Sequence, residues 1–369
     1  MARAGPVILH AMLGAGFGGL EQVFLDDQPI LERLAAAQGG YAVALARRGG
    51  EAARRAAAQG AAAPGPATQG GRLELAAAYS DWDPISLASV RAVVRRHRPS
   101  LAVVHGQRAY RLLARTLPRA TPIVAVIHKP SFDVDLVRTS YVCVGEHLAQ
   151  AVRARGVPAE RVRFVPNAVR LDGPRAHGRQ PGGTPVIVAG GRLHAKKGFD
   201  VLIRAMALLR EAGVQAACRI AGEGPERARL EGLVAELGLG GRVTLAGWRD
   251  DLPAFLAEGD VFAFPSHQEG FPLGLLQAMA AGLPIVSSAI DGPNEMLDDG
   301  VSGLLVPDAD PRALADALAA LLADPARAAR LAAAARAAVE RDYGPEALER
   351  RLGQALASTG VFDGIVSPP

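Results

Sequence analysis

Apolar residues in this chain fall into short unbroken runs. Val7 to Met12, Tyr41 to Ala46, Leu101 to Val104, Pro122 to Ile127 and Tyr141 to Val144 are the clearest in the first half. Pro185 to Ala189, Cys218 to Ala221, Val243 to Ala246, Phe262 to Phe264 and Pro284 to Ser288 follow in the second. Such runs, bounded by Gly, Pro and polar clusters, predict strands covered on both faces, as in a parallel sheet. Helical spacing takes over between them: at Leu20, Val23, Phe24 and Leu31, from Ile85 to Arg98 with Pro99 closing it, from Phe199 to Leu209, and in a segment running to Leu237. Ala-rich amphipathic helices are expected from Pro311 to Arg341. The alternation predicts an α/β protein.

Two stretches break the rhythm. Residues 47–72 read as an Ala-rich helix followed by a loose loop through Pro64-Gly65-Pro66, and residues 171–184, without periodicity, read as a linker. At 369 residues the chain suits two domains. The expected division is 1–170, the linker 171–184, and 185–343, followed by a helix at 345–360 and a frayed tail after Thr359.

Composition adds little until charge is divided along the chain. Residues 1–170 carry 22 Lys and Arg against 12 Asp and Glu, whereas residues 171–369 carry 19 against 25. The first half is thus +10 and the second −6. A basic half fits attraction to an anionic membrane or an acidic acceptor, and equally a solvated Arg-rich face. Arg108, Arg111, Arg115 and Arg119, at helical spacing, would form one basic stripe open to the same two readings. Cys143 and Cys218 share no ligand spacing and read as buried thiols of a reducing compartment. His10 interrupts the first apolar run, which reads as a strand and not a signal peptide, and no run is long enough to span a membrane.

The candidate chemistry sits where strands give way to loops. Pro265 ends one apolar run, and Ser266-His267-Gln268-Glu269-Gly270 leads to helical spacing from Pro272, with Leu273, Leu276, Met279 and Ala280 as its apolar face and Gly282 as its stop. Backbone N–H groups from Gly270 through Phe271 and Pro272 to Leu273 mark an anion site at a helix start, where proline itself has none to give. Glu269 then faces something other than the anion, such as sugar hydroxyls, with Gln277 two helical turns on. A second loop, Gly190 to Gly198, holds Arg192 and Lys197, fixed cations suited to a departing diphosphate without a metal. The three Lys residues of the chain, Lys129, Lys196 and Lys197, all lie in loops of this kind. Gly14, Gly16 and Gly19 also fit a dinucleotide fingerprint, with Arg47-Arg48 after the next strand suiting a 2′-phosphate.

These motifs together resemble the retaining glycosyltransferases of family 4. Glu269 and Gln277 match their E-x7-E signature with Gln in place of the second Glu. Gly191-Arg192 through Lys197-Gly198 matches G-R-x4-K-G, Gly18-Gly19-Leu20-Glu21 matches G-G-x-E, and Pro166-Asn167-Ala168-Val169 resembles P-N-G-V with Ala for Gly. Gly300 to Pro307 resembles their G-x-x-G-L-L-V hairpin.

The resemblance implies the GT-B fold, two Rossmann-like domains with parallel sheets facing a central cleft. It also implies roles. Arg192 and Lys197 would grip the donor diphosphate, Glu269 the donor sugar and Gln277 the ribose, with His128 near the sugar and followed by Lys129 where Gly is usual. Gly18, Gly19 and Gly191 would approach the phosphates, and Trp248 and Arg249 lie where the base is commonly placed, although Trp248 reads equally as a ring sealing the domain; apart from the resemblance, Glu295 reads as a second polar contact or as a cap of the short helix that follows. The implied activity is metal-independent, retaining transfer from a nucleotide-sugar, UDP-linked by expectation, with no cofactor beyond that substrate. The acceptor would be a cytoplasmic saccharide or lipid-linked saccharide of lipopolysaccharide or other cell-surface polysaccharide synthesis, reached from the cytoplasm or the inner face of the membrane. No nucleic-acid partner is implied. A sugar-nucleotide epimerase, an NADP-dependent oxidoreductase using the first glycine loop, and a non-catalytic sugar-nucleotide-binding relative remain open at this point.

Overall fold

The computed structural model describes residues 5–15, 18–58, 72–176 and 183–361. Gly16 of the first glycine loop, the Pro64-Gly65-Pro66 loop, residues 177–182 of the expected linker and the tail beyond 361 lie outside the described residues. The chain divides into two compact units, Met1–Pro166 with Leu348–Pro369, and Asn167–Ala347.

The first unit is built from β1 (Val7–Met12), α1 (Gly19–Ala36), β2 (Tyr41–Arg47), α2 (Glu51–Ala58), β3 (Arg72–Ala76), α3 (Pro84–His97), β4 (Leu101–His105), α4 (Gln107–Thr116), β5 (Ile123–Ile127), β6 (Thr139–Cys143), α5 (Glu146–Arg153) and β7 (Val162–Phe164). Its strands pair in parallel in the order β3-β2-β1-β4-β5-β6-β7. The expected apolar runs form its centre: β4 and β5 are buried along their whole length. Leu9 and Val104 are fully buried, and each such side chain contributes about 1.5–3 kcal/mol relative to exposure. Asp83 caps α3 by accepting from Ser86 N at 2.8 Å, and Pro84 fills the first helical position. Hydrogen bonds from the Ser86 side chain and backbone hold the Asp83 carboxyl down to about 2.

The second unit runs β8 (Val186–Gly190), α6 (Phe199–Glu211), β9 (Ala217–Ala221), α7 (Arg227–Glu236), β10 (Val243–Gly247), α8 (Leu252–Ala257), β11 (Val261–Phe264), α9 (Leu273–Ala281), β12 (Ile285–Ser288), α10 (Asp291–Met296), β13 (Leu304–Val306), α11 (Pro311–Ala323) and α12 (Pro325–Asp342). Its parallel sheet has the order β10-β9-β8-β11-β12-β13. Asp310 and Asp324 cap α11 and α12, each followed by a proline at the helix start. The last helix, α13 (Pro345–Ala357), belongs to the first unit from Leu348 on, where Glu349 pairs with Arg33 of α1 at 2.6 Å.

Both sheets reverse direction beside their first strand, between β1 and β4 and between β8 and β11, and loops at the carboxyl ends of such strands flank the usual ligand crevice of doubly wound folds. Three details differ from the sequence reading. β3 was not expected: Leu73 and Leu75 alternate with charged residues in a short edge strand beside β2. Gly300 to Pro307 is not a hairpin, because β13 pairs in parallel with β12 after a turn. Arg119 lies beyond the end of α4, and the stripe is engaged internally. Arg108 and Arg111 pair with Asp81, Arg111 also with Asp133, and Arg115 packs over the Trp82 ring at 3.4 Å. Cys143 and Cys218 are buried free thiols, each pushed up to about 12 by burial.

Candidate active site

In the second unit the two loops singled out in the sequence flank the β8–β11 reversal. After β8 the chain turns through Gly191 and Arg192 into a short 3-10 turn, Ala195–Lys197, before α6. Gly191 N donates to Ala221 O at 3.0 Å and Leu193 N to Glu223 O at 2.9 Å, fixing this loop to the end of β9. Gly198 closes it with φ +60°, and a Cβ there would stand 2.0 Å from Pro265 O, so only glycine lets the two loops meet. The contact is extended by His267 N donating to Lys196 O at 2.8 Å.

Side chains complete the join. Lys196 Nζ donates to Gln268 Oε1 at 2.7 Å, and Lys197 Nζ lies 2.5 Å from Glu269 Oε1. That ion pair is mostly buried, with the lysine side chain 25% and the carboxylate 13% exposed. Lys197 Nζ also lies 5.8 Å from the centre of the Phe264 ring. Arg192, by contrast, is exposed and makes no ion pair among the described residues.

The helix start differs slightly from expectation. α9 begins at Leu273, and Pro272 is its N-cap with extended backbone and not the first helical residue. The open N–H groups of its first turn are therefore those of Leu273 and Gly274, and Gly274 lies beside the Gly190 carbonyl at the end of β8. The N–H of Gly270 and Phe271 are not part of that turn. Gln277 stands one helical turn above the start, not two. Leu275, not Leu273, is fully buried, because α9 packs on both sides. Phe271 and Pro272 turn inward: the Phe271 ring is buried 5.4 Å from that of Tyr343, and its carbonyl accepts from Asn167 Nδ2 at 2.9 Å. Asn167, quoted above only as part of a motif, thus holds the Glu269 loop in place from within a buried site.

The remaining expected residues are divided between the two units. Gly292 of α10 packs on the Glu269-Gly270 backbone, and Glu295 sits in the last turn of that helix, so it does not cap the helix. Trp248, at the end of β10, is 45% exposed and donates Nε1–H to Asp250 at 3.0 Å, while Arg249 reaches the Phe255 ring. Gly18, Gly19 and His128 belong to the first unit, with Gly18 the N-cap of α1. His128 follows β5 and leans on buried His105, its Nε2 at 3.4 Å from His105 Nδ1, and burial lowers its imidazole to about 4. His105, fully buried, connects in turn to His10 at 2.9 Å.

A model of the glycosyl transferases group 1 family matches residues 175–338, the span holding both loops. The lipopolysaccharide core biosynthesis glycosyltransferase LpsE of Rhizobium meliloti is 32% identical over 289 residues, 73% of this chain and 79% of that protein. The chain belongs to the group 1 glycosyltransferases. Putative colanic acid biosynthesis glycosyltransferase WcaL of Escherichia coli is 36% identical over 56% of the chain and 50% of its own length. Among solved structures, Anabaena HepE in complex with UDP-glucose superposes with a TM-score of 0.80 at 20% identity, covering 96% of this glycosyltransferase and 100% of that chain. Sucrose-phosphate synthase from Thermosynechococcus elongatus gives 0.76 at 23% identity over 95% and 98%. The fold is GT-B. Among the described residues no helix is long and apolar enough to cross a membrane.

Proposed function

We propose that this glycosyltransferase transfers a sugar with retention from a nucleotide-sugar, UDP-linked, to a saccharide or lipid-linked acceptor of cell-surface polysaccharide synthesis. The observation that carries the reading is the pairing of two loops beside the β8–β11 reversal, where Lys197 meets Glu269 at 2.5 Å and Gly274 of the first turn of α9 lies beside the Gly190 carbonyl, two residues before Arg192. A departing diphosphate gains negative charge. Two fixed cations and a helix N-terminus stabilise that charge without a metal. The bond from the sugar C1 to the phosphate oxygen breaks while the acceptor oxygen joins C1 on the same face, and the leaving phosphate takes the acceptor proton. Glu269 orients the sugar, Gln277 bonds the ribose as a neutral donor and acceptor, and Trp248 and Arg249 offer a face to the base. Gly18, Gly19 and His128 enter this reading through the resemblance alone, as the turn near the phosphates and the histidine near the sugar.

The names of the relatives, in lipopolysaccharide core and colanic acid synthesis, support the acceptor class, and the UDP-glucose bound by HepE supports the nucleotide. The cytoplasmic face of the membrane is the site of action in this proposal, which rests on the acceptor class and the basic first half rather than on the engaged arginines of α4. Arg192→Ala is the test. Transfer of labelled sugar should fall by at least tenfold with the melting temperature unchanged, since exposed Arg192 has no ion pair to lose among the described residues. Turnover at the wild-type rate would remove Arg192 from the mechanism.

A further inference from the structure

In the first unit, three side chains that the transfer reaction does not use converge in the core. His10 projects from β1, His105 from the end of β4, and Asp27 from α1, which covers that face of the sheet. Register puts the histidines on one face: His105 pairs with Met12, two residues on from His10. All three residues are buried, His10 and His105 completely, and one ligand atom from each lies within 4.8 Å of the others. Among the described residues this is the one such group.

The hydrogen bonds around the group orient its lone pairs. Gln28 Nε2 donates to Glu32 Oε1 at 2.7 Å, which turns Gln28 Oε1 toward His10 Nδ1 at 2.8 Å. His10 therefore carries its proton on Nδ1 and presents a bare Nε2 to the cluster. With His10 Nε2 bare, the 2.9 Å contact between the two Nε2 atoms is a hydrogen bond donated by His105, whose proton a bound ion would displace, and His105 Nδ1 faces His128 Nε2 at 3.4 Å. Asp27 Oδ2 stands 3.6 Å from His105 Nε2, and no hydrogen bond reaches its carboxylate among the described residues. Inward-facing imidazole nitrogens whose outer nitrogens are held by polar neighbours, beside a buried carboxylate, form the donor set of a metal centre with its orienting partners in place.

We propose that His10, Asp27 and His105 bind one divalent first-row transition cation, best matched by zinc, as a structural site locking the carboxyl ends of β1 and β4 to α1. An ion about 2.0–2.1 Å from each ligand at tetrahedral angles sets ligand atoms roughly 3.3 Å apart. The two nitrogens stand at 2.9 Å, the Asp27 oxygen is 3.6 Å from His105 Nε2, and all three ligand atoms lie within 4.8 Å of one another, so the side chains would readjust around an ion without leaving the cluster. The mixed imidazole and carboxylate set suits zinc over magnesium or calcium. The site lies wholly within the first unit, and the inference goes beyond the proposed transfer reaction without depending on it.

The test uses the full chain without an affinity tag, stripped with chelator and titrated with Co²⁺, then with Zn²⁺ in competition. The expected result is a visible d–d spectrum saturating at one equivalent, displaced by one equivalent of Zn²⁺. His105→Ala and Asp27→Asn should abolish the spectrum, and Gln28→Ala, which leaves the ligands intact, should weaken binding by about 10–100-fold. His267→Ala, at the exposed His267–Asp308 pair, should leave it unchanged. Failure of the wild-type chain to produce the spectrum would overturn the proposal, whether or not any variant folds. So would equal binding by folded His105→Ala, and the cluster would then be a hydrogen-bonded network alone.

Discussion

Lys197 is placed between two anions if the proposed donor binds, and removing it tests that placement quantitatively. Without ligand its ammonium pairs with Glu269 at 2.5 Å. With a diphosphate it would serve both groups. Lys197→Ala deletes a charge-assisted hydrogen bond to the phosphate, worth about 1.5–3 kcal/mol. It also leaves Glu269 unneutralised beside the diphosphate. For two unit charges about 5.5 Å apart, the span one ammonium would bridge, repulsion at an effective dielectric constant near 20 is about 3 kcal/mol. The single variant should therefore lose about 4.5–6 kcal/mol, more than a thousandfold in affinity. Adding Glu269→Gln removes the repulsion and should return about 3 kcal/mol, roughly a hundredfold. Titration calorimetry of UDP into wild type, both single variants and the double variant, at fixed ionic strength, closes the cycle. A double variant that binds no better than Lys197→Ala would refute the shared-ammonium reasoning.

Other expectations follow from single contacts. Gly198→Ala forces a Cβ to 2.0 Å from Pro265 O at a positive φ and should cost more than about 3 kcal/mol, read as a lower denaturation midpoint; an unchanged midpoint would contradict the loop packing. Trp248→Ala should weaken nucleotide binding by about 1–3 kcal/mol if the exposed ring stacks on the base, and unchanged affinity would return Trp248 to a structural role. Glu74 is held below its usual range: burial alone would raise it, but hydrogen bonds from His97 and Arg96 outweigh that. Its folded value being depressed, its contribution is present above the ordinary value of 4.5 and fades as pH falls through the lower folded value. Glu74→Gln should therefore destabilise by about 1–3 kcal/mol near neutrality, with the gap from wild type closing in acid; a gap independent of pH would dismiss the ionic contribution.

Much of the fold is legible locally because buried parallel strands announce themselves as apolar runs. β1 occupies Val7–Met12 as read, and β8 to β12 fall within a residue or two of expectation. β3 escaped because an edge strand with alternating charge has no such signature, and its neighbour β2 is brought to it by topology. The start of α9 moved because Pro272 suits an N-cap in extended backbone as well as a first helical position. The parallel partner of β13 could not be read at all, since a Gly-Leu-Leu-Val stretch says nothing about which strand it joins.

The candidate site shows the same divide. Arg192, Lys197 and Glu269 were visible through loop position and charge, but the Lys197–Glu269 pair joins residues 72 apart. The basic stripe lost its free charge to Asp81 and Asp133, which lie 22 to 30 residues from their arginines. His10 and His105 are 95 residues apart, and only the β1–β4 register brings them together. The interruption of an apolar strand by His10 was the one local sign that something polar lay there.

The most direct measurement is a thermal-shift titration of the purified chain with UDP, GDP and ADP, their sugars, and NADPH, each in the presence of chelator. Stabilisation by one nucleoside diphosphate and its sugar, growing with ligand concentration and lost in Arg192→Ala with Lys197→Ala, is the expected result. Stabilisation by NADPH alone, or by a diphosphate equally in that double variant, would contradict a donor site built on these two cations.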